Sequence, residues 1–433
     1  MTPNRSQPNE PVVYLGQTDF RGEGKRFGIR AADRRHHVYV VGKTGAGKTT
    51  LLRNLLVQDI EAGHGVGLID PHGDLATELL ELIPRRRTED VVYFHPADLE
   101  HPVGWNLLAN VPPDRRHLVA SSVVSAMKNL WQDSWGPRLE YFLHNAVMAL
   151  LDFEGSTLLG IPRLFTDERY RARVVKKIRD PVVRSFFLDE LPAYDRRLLS
   201  EALSPLQNKV GRLLSNAPMR NVLGQVRNRF DPRFIMDRRK IFIANLGKGE
   251  LGEDKANFLG SLLVSAFQMA ALSRADVPEE KRQDFSLVLD EFHNFTTEAF
   301  ASALSEARKY RLCLVLAHQY VDQLDLSIRN AVFGNAGTMI AFRVGSADAE
   351  LLAREFAPVF AARDMSSLGK YRIYLRLMID GVASRPFSAI ALPPFGRRHG
   401  RGDTIRRRSR EKFSRPRHEV EYKIERWLGR DRA

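Results

Sequence analysis

The chain has 433 residues, is 43% hydrophobic and carries a formal net charge of +14. That length allows one large domain with a smaller one inserted or appended, and the hydrophobic share is ordinary for a protein that buries a core. Apolar stretches such as 146–151 fall far short of the roughly 20 residues that span a bilayer, and a single cysteine, Cys313, excludes an internal disulfide or a cysteine-based metal cluster.

Residues 1–11 are polar and proline-rich, without a charged-then-apolar leader, which predicts a cytoplasmic protein still able to dock on a membrane partner. Runs 12–15 and 27–29 predict two short strands around a Gly-rich turn, a small N-terminal β element over 1–36. Run 38–41 is an apolar strand leading straight into Gly42-Lys43-Thr44-Gly45-Ala46-Gly47-Lys48-Thr49-Thr50. Leu51, Leu52, Leu55, Leu56 and Ile60 then recur at helical spacing, and Gly63 ends that helix. Runs 66–69 and 91–94 are further strands. They do not alternate, as strands buried on both faces of a parallel sheet should not.

Between 114 and 237 the texture changes to amphipathic helical patterns, as over 139–151 and 170–178, punctuated by Pro162, Pro181, Pro192, Pro205 and Pro218. This segment is read as an all-α insertion separating two parts of an α/β core, 37–113 and 238–392. Strand signals resume at 241–244, 285–289, 312–316, 338–342 and 372–379. The tail, 393–433, is basic: from Arg397 to Arg432 it holds fourteen Lys/Arg against six Asp/Glu, a surplus of +8. It begins Gly/Arg-rich and closes on a short helix whose Val420, Ile424, Trp427 and Leu428 share a face. A basic balance of this kind favours nucleic acid or an anionic membrane surface, although a solvated soluble surface gives the same charge.

The Gly-x4-Gly-Lys-Thr spacing, between a strand and a helix, predicts a phosphate cradle for ATP. Its glycines let backbone N–H groups curl around phosphates, and the helix N-terminus adds its positive dipole. Lys48 reaches the β- and γ-phosphates in this reading, and Thr49 ligates Mg2+. The strand 285–289 delivers Asp290 and Glu291, the first to hold magnesium and the second to polarise water as general base. The next strand ends in His318-Gln319, where Gln319 either senses the γ-phosphate or caps an edge. The strand after that ends near Arg343, which is either an arginine finger for a neighbouring subunit or a surface salt-bridging residue. Arg308 is a second finger candidate. Twelve histidines are scattered without metal-binding spacing, and His36 and His37 are adjacent, so no metal beyond the nucleotide's magnesium is expected. Cys313 reads as a buried small hydrophobe.

Taken together, these residues resemble the additional-strand P-loop motors of the HerA/FtsK superfamily, most closely the type IV secretion coupling proteins of the TraD/TraG/TrwB kind. The matching stretches are 37–52, Leu68-Ile69-Asp70-Pro71-His72-Gly73-Asp74-Leu75, Trp105-Asn106-Leu107-Leu108, 287–291, 305–312 with Arg308, and 316–319, within a span of about 12–392. The resemblance implies a RecA-like α/β fold with a mostly parallel sheet, an all-α insertion, and a ring, usually a hexamer, with ATP at subunit interfaces and DNA in the channel. Gln319, Arg343 and Asp70 gain from it, Asp70 being otherwise the cap of a turn before the next helix. Many coupling proteins carry N-terminal transmembrane helices and this chain shows none, which bears on the conjugation role more than on the motor role.

The leading expectation is an ATP-driven DNA translocase, with a relaxase or a membrane secretion component as further partner. Alternatives are an ATPase energising protein secretion or pilus assembly, and a nucleotide-switched DNA-binding scaffold. Lys209 and Arg212 are basic candidates on the helical insertion, where a solvated helix face would look the same.

Overall fold

The computed structural model describes residues 12–19 and 24–429. The chain divides into two compact units: Met1–Val91, Arg233–Ala244 and Ala270–Ile405 form the first, and Val92–Pro232, Asn245–Met269 and Arg406–Ala433 the second.

Thirteen strands are assigned among the described residues: β1 Val12–Thr18, β2 Arg26–Arg30, β3 Val38–Val41, β4 Gly65–Asp70, β5 Val91–Phe94, β6 Ile241–Asn245, β7 Phe285–Leu289, β8 Leu312–His318, β9 Thr338–Ala341, β10 Arg372–Arg376, β11 Met378–Ile379, β12 Val382–Ala383 and β13 Phe387–Ala391. In the first unit they run β2-β1-β13-β10-β9-β3-β8-β7-β4-β6. The central pairs β9–β3, β3–β8, β8–β7 and β7–β4 are parallel. The flank β10, β13, β1 and β2 is antiparallel. Every residue of β3, β7 and β8 is buried, which is why these strands read as unbroken apolar runs. The fold is the expected α/β class with a mostly parallel sheet.

Two features of the flank depart from the sequence reading. The run expected over 372–379 is split: Arg372–Arg376 stays in the main sheet, while Met378–Ile379 turns away to pair with Val382–Ala383. Asp380 and Gly381 make that turn with φ of 50° and 78°, the conformation that Asp-Gly favours in a two-residue hairpin. Strand β13 was not anticipated. It holds the place between β1 and β10.

One buried ion pair fixes the helix that follows the cradle. Arg34 donates to both carboxylate oxygens of Asp59, at 2.7 and 2.8 Å, and to Ser286 Oγ on β7 at 2.9 Å. The helix Lys48–Ala62 is thus clamped to the strand that delivers Asp290.

In the second unit, every element assigned between Pro113 and Pro232 is helical. Beyond the main sheet the chain forms helices Gly402–Phe413 and Arg417–Gly429, the latter over the residues whose apolar spacing predicts one. One described helix, Glu253–Asp276, is long and apolar enough to cross a membrane, and 72% of that window is buried inside the protein. The sequence reading passed over this run.

Candidate active site

The cradle hangs between the exits of two parallel strands. Gly42 N–H donates to the His318 carbonyl at the end of β8, and Lys43 N–H donates to the Arg343 carbonyl just past β9. Gly47 has φ 127°, and a Cβ there would lie 2.8 Å from the Phe342 ring and 3.1 Å from the Tyr371 ring, so only glycine fits. The helix Lys48–Ala62 starts at once behind it, aiming its free N–H groups into the loop.

A cavity of about 460 Å³ opens over this loop, lined among others by Lys48, Thr49, Asp70, Asp290, Glu291 and Gln319. Lys48 Nζ donates to the Gly42 carbonyl at 2.5 Å. Burial pulls its pKa down, while Glu291 and Asp290 push it up. Asp290 is 7% exposed, and its carboxyl is pushed up to about 7, first by burial and then by Asp70 and Glu291, against Lys48. Three buried carboxylates therefore face one buried ammonium, with Lys370 at the exposed rim.

Glu291 sits just past β7 at φ 47°, a backbone strain typical of residues positioned for function. Gln319 Nε2 donates to Glu291 Oε1 at 2.9 Å, and Thr44 Oγ1 donates to Gln319 Oε1 at 2.8 Å. The structure thus joins cradle, β7 exit and β8 exit in one hydrogen-bonded line. Glu291 Oε2 is buried without a hydrogen-bond partner, 3.5 Å from His293 Nδ1. Beneath it, His318 Nε2 and the Tyr39 hydroxyl are 2.6 Å apart, and burial pushes the imidazole down to about 3, so it is neutral.

Asp70 stands at the end of β4, the strand before the helix Asp74–Leu82. Its oxygens accept from His72 N–H and Ala76 N–H, each at 2.9 Å, capping the helix Asp74–Leu82, and it also lines the cavity. Arg343 is not brought in: its side chain is exposed, without an ion-pair partner among the described residues, and does not line the cavity. Arg308 lies at the other ends of the strands, 3.1 Å from His36 Nδ1. Cys313 is buried on β8, with its thiol pushed up to about 12.

Sequence reasoning missed Lys370 and Tyr371. Tyr371 N–H donates to the Ala46 carbonyl at 3.1 Å with φ 63°, and Lys370 Nζ lies 4.9 Å from the Tyr371 ring centroid. Both line the cavity. A non-glycine residue at positive φ leaves no mark in a single sequence, so nothing pointed there. Of the basic insertion candidates, Lys209 bonds Ser134 Oγ at 2.8 Å and sits 5.7 Å from the Trp131 ring centroid, while Arg212 is exposed.

Residues 21–150 match the family model described as Helicase HerA, central domain, and residues 284–366 match the TraM recognition site of TraD and TraG. The chain is 23% identical over 376 residues to the type 4 coupling protein DotL of Legionella pneumophila, covering 72% of this chain and 47% of DotL. It thus spans about half the length of that relative. Among solved structures, the unbound bacterial conjugative coupling protein TrwBdeltaN70 aligns with a TM-score of 0.64 at 14% identity, covering 90% of this chain and 91% of that one. TrwB in complex with ADP and Mg2+ aligns at 0.64 and 15%, covering 91% and 98%. VirB4 of Thermoanaerobacter pseudethanolicus aligns at 0.58 and 13%, covering 89% and 98%.

Proposed function

On the premise that this chain is a coupling-protein-like P-loop ATPase, with a HerA-type central domain and a TraG/TraD-type segment, we propose that it hydrolyses ATP to move DNA, as a ring with the nucleotide at subunit interfaces. The observation that carries this reading is the line Thr44–Gln319–Glu291, which ties the phosphate cradle to a buried carboxylate whose second oxygen has no hydrogen-bond partner.

The residues fit a magnesium nucleotide. Asp70, Asp290 and Glu291 hold an excess of buried negative charge around one buried lysine, and a divalent cation would offset it. Thr49 and Asp290 would hold that ion, which supplies charge neutralisation for the phosphates when bound. Gly42, Lys43, Thr44, Gly45, Ala46, Gly47 and Thr50 complete the cradle. Lys48 exchanges the Gly42 carbonyl for phosphate oxygens. Glu291 takes the proton of the attacking water, with Gln319 holding Oε1 in place. The exposed Arg343 is the group we assign to reach a neighbouring subunit's phosphates.

The net charge of +14 suits a polyanionic cargo gripped through its phosphates. With ATP as fuel the motor works in the cytoplasm, delivered to a membrane secretion component or a relaxase through partners. The test is ATPase rate with and without DNA, together with Glu291→Gln and a triplex-displacement assay. Severalfold stimulation by DNA and strand displacement, both lost in the variant, are expected. Hydrolysis indifferent to nucleic acid would overturn the DNA cargo and favour protein export.

A further inference from the structure

The second unit holds a charge arrangement that ATP chemistry leaves unused. A cavity of about 290 Å³ is formed by Gly224, Val226, Val420, Ile424 and Trp427, with Arg227, Arg229, Arg415 and Lys423 among its lining cations. Against these four cations stands Glu419, 4.0 Å from Arg415 and 3.6 Å from Lys423. Arg227 and Arg229 have no ion-pair partner among the described residues, and Arg229 Nε is buried without a hydrogen bond. Burial pulls the Arg229 pKa down, crowding by Arg415 and Arg227 adds to it, and Glu419 offsets this only in part.

The rim is built, not incidental. Asn106, on the Trp105-Asn106 segment, donates from Nδ2 to the Ser156 and Val226 carbonyls at 2.8 and 3.0 Å, and its backbone N–H donates to Asn228 Oδ1 at 2.6 Å. Arg229 N–H donates to the Gly104 carbonyl at 3.0 Å, and Gln225 Nε2 reaches the Pro102 carbonyl at 3.3 Å. Trp105 stacks on Phe230 with centroids 5.9 Å apart. The loop bearing two of the cations is therefore latched at both ends before any ligand arrives. Trp427 is also held, with Arg163 donating to its carbonyl at 2.9 Å and standing 4.9 Å over its ring.

We infer that this cavity is a single-stranded nucleic-acid site, taking a base against Val420, Ile424 and Trp427 while Arg227, Arg229, Arg415 and Lys423 hold the flanking phosphates. A duplex keeps its bases paired and can offer the rim only phosphates, leaving the apolar floor empty, whereas a single strand offers both. The preceding helix, Gly402–Phe413, adds Arg406, Arg407 and Lys412 to the same stretch of chain, while its Arg408 and Arg410 are paired with Glu411 and Asp98. A run of cations this long suits a ligand with a repeating charge better than one acidic peptide side chain. The inference rests on the DNA reading and refines it.

The experiment is fluorescence anisotropy of labelled oligo(dT) on the full chain, with Arg227→Ala/Arg229→Ala, the corresponding double lysine variant, and Trp427→Phe. The double alanine variant should bind at least ~10-fold more weakly, with a log-log salt slope reduced by about 1.4, the value for two lost phosphate contacts on a single strand. The double lysine variant should recover part of that affinity, which a merely unfolded loop would not. Unchanged oligo(dT) affinity in the alanine variant overturns the site. DNA-stimulated hydrolysis persisting in that variant would show that the motor reading survives it. Wild-type protein that binds no DNA overturns both. Equal losses on single strand and blunt duplex overturn the base-in-cavity geometry, and loss of polyglutamate binding with oligo(dT) affinity kept overturns the site in favour of an acidic protein partner.

Discussion

The two units carry opposite electrostatic problems. In the first, Asp70, Asp290 and Glu291 crowd one lysine out of contact with water. In the second, four cations crowd one glutamate around a half-open cavity. Buried charge needs every neighbour placed by backbone, so the first arrangement is written in short contiguous motifs at strand exits. Charge at a surface tolerates looser construction. The second is accordingly assembled from a loop at 225–229 and a helix near the other end of the sequence. The difference predicts how each site responds to damage.

Glu291→Gln should produce the largest effect, slowing ATP hydrolysis by about 10²- to 10⁴-fold in single-turnover assays while nucleotide binding persists. A comparable slowing from the Arg227/Arg229 double variant, measured without DNA, would erase the distinction between the sites. Next comes Asp59→Ala, which strands the Arg34 guanidinium, buried with 6% of its side chain exposed. Urea denaturation should show a loss of about 3–5 kcal/mol. A loss below about 1 kcal/mol would mean that this buried charge behaves like a surface one.

Asp290 gives a smaller effect with a definite sign. Its carboxyl is raised from 3.8 to about 7, so the folded protein keeps a proton that the unfolded chain releases between those values. Metal-free stability should fall as pH rises through that window, because the folded state binds more protons there. Magnesium needs the ionised carboxylate, so apparent affinity should drop by about tenfold per pH unit below about 7 and level off above it. Titrations of magnesium at several pH values, repeated on Asp290→Asn, check this. A flat profile in the wild type would remove Asp290 from the cation site. Least of all, Asn106→Ala frees two carbonyls and loosens the 225–229 loop. We expect about 1–3 kcal/mol of lost stability and a severalfold loss of oligo(dT) affinity, with DNA-independent hydrolysis unchanged.

Much of the first unit is legible from its residues. Apolar runs without alternation mark β3, β7 and β8, and the strand exits carrying Lys48, Asp290, Glu291 and Gln319 meet because adjacent parallel strands end at one edge. What escapes is whatever depends on positive φ or on long-range assembly. Tyr371 meets the cradle through a backbone bond that any residue type could make. Strand β13, Phe387–Ala391, has an intermediate burial pattern and lies among prolines, so its sequence resembles a loop. The Arg227–Arg229 pair looks like any solvated basic loop until Arg415 and Lys423 are placed beside it. Asn106 sits in a stretch that the family resemblance marks, yet only the structure shows that it latches that loop.

The position of β3 has a consequence for synthesis. Its two neighbours, β8 and β9, end at His318 and Ala341, while the cradle follows Val41. A ribosome must extend the chain by some three hundred residues before the loop has either wall to hang from, and pairing so remote in sequence is slow. The nascent loop therefore lacks both walls until most of both units has been made, so the cradle is completed late and its shape reports that the intervening chain has been built.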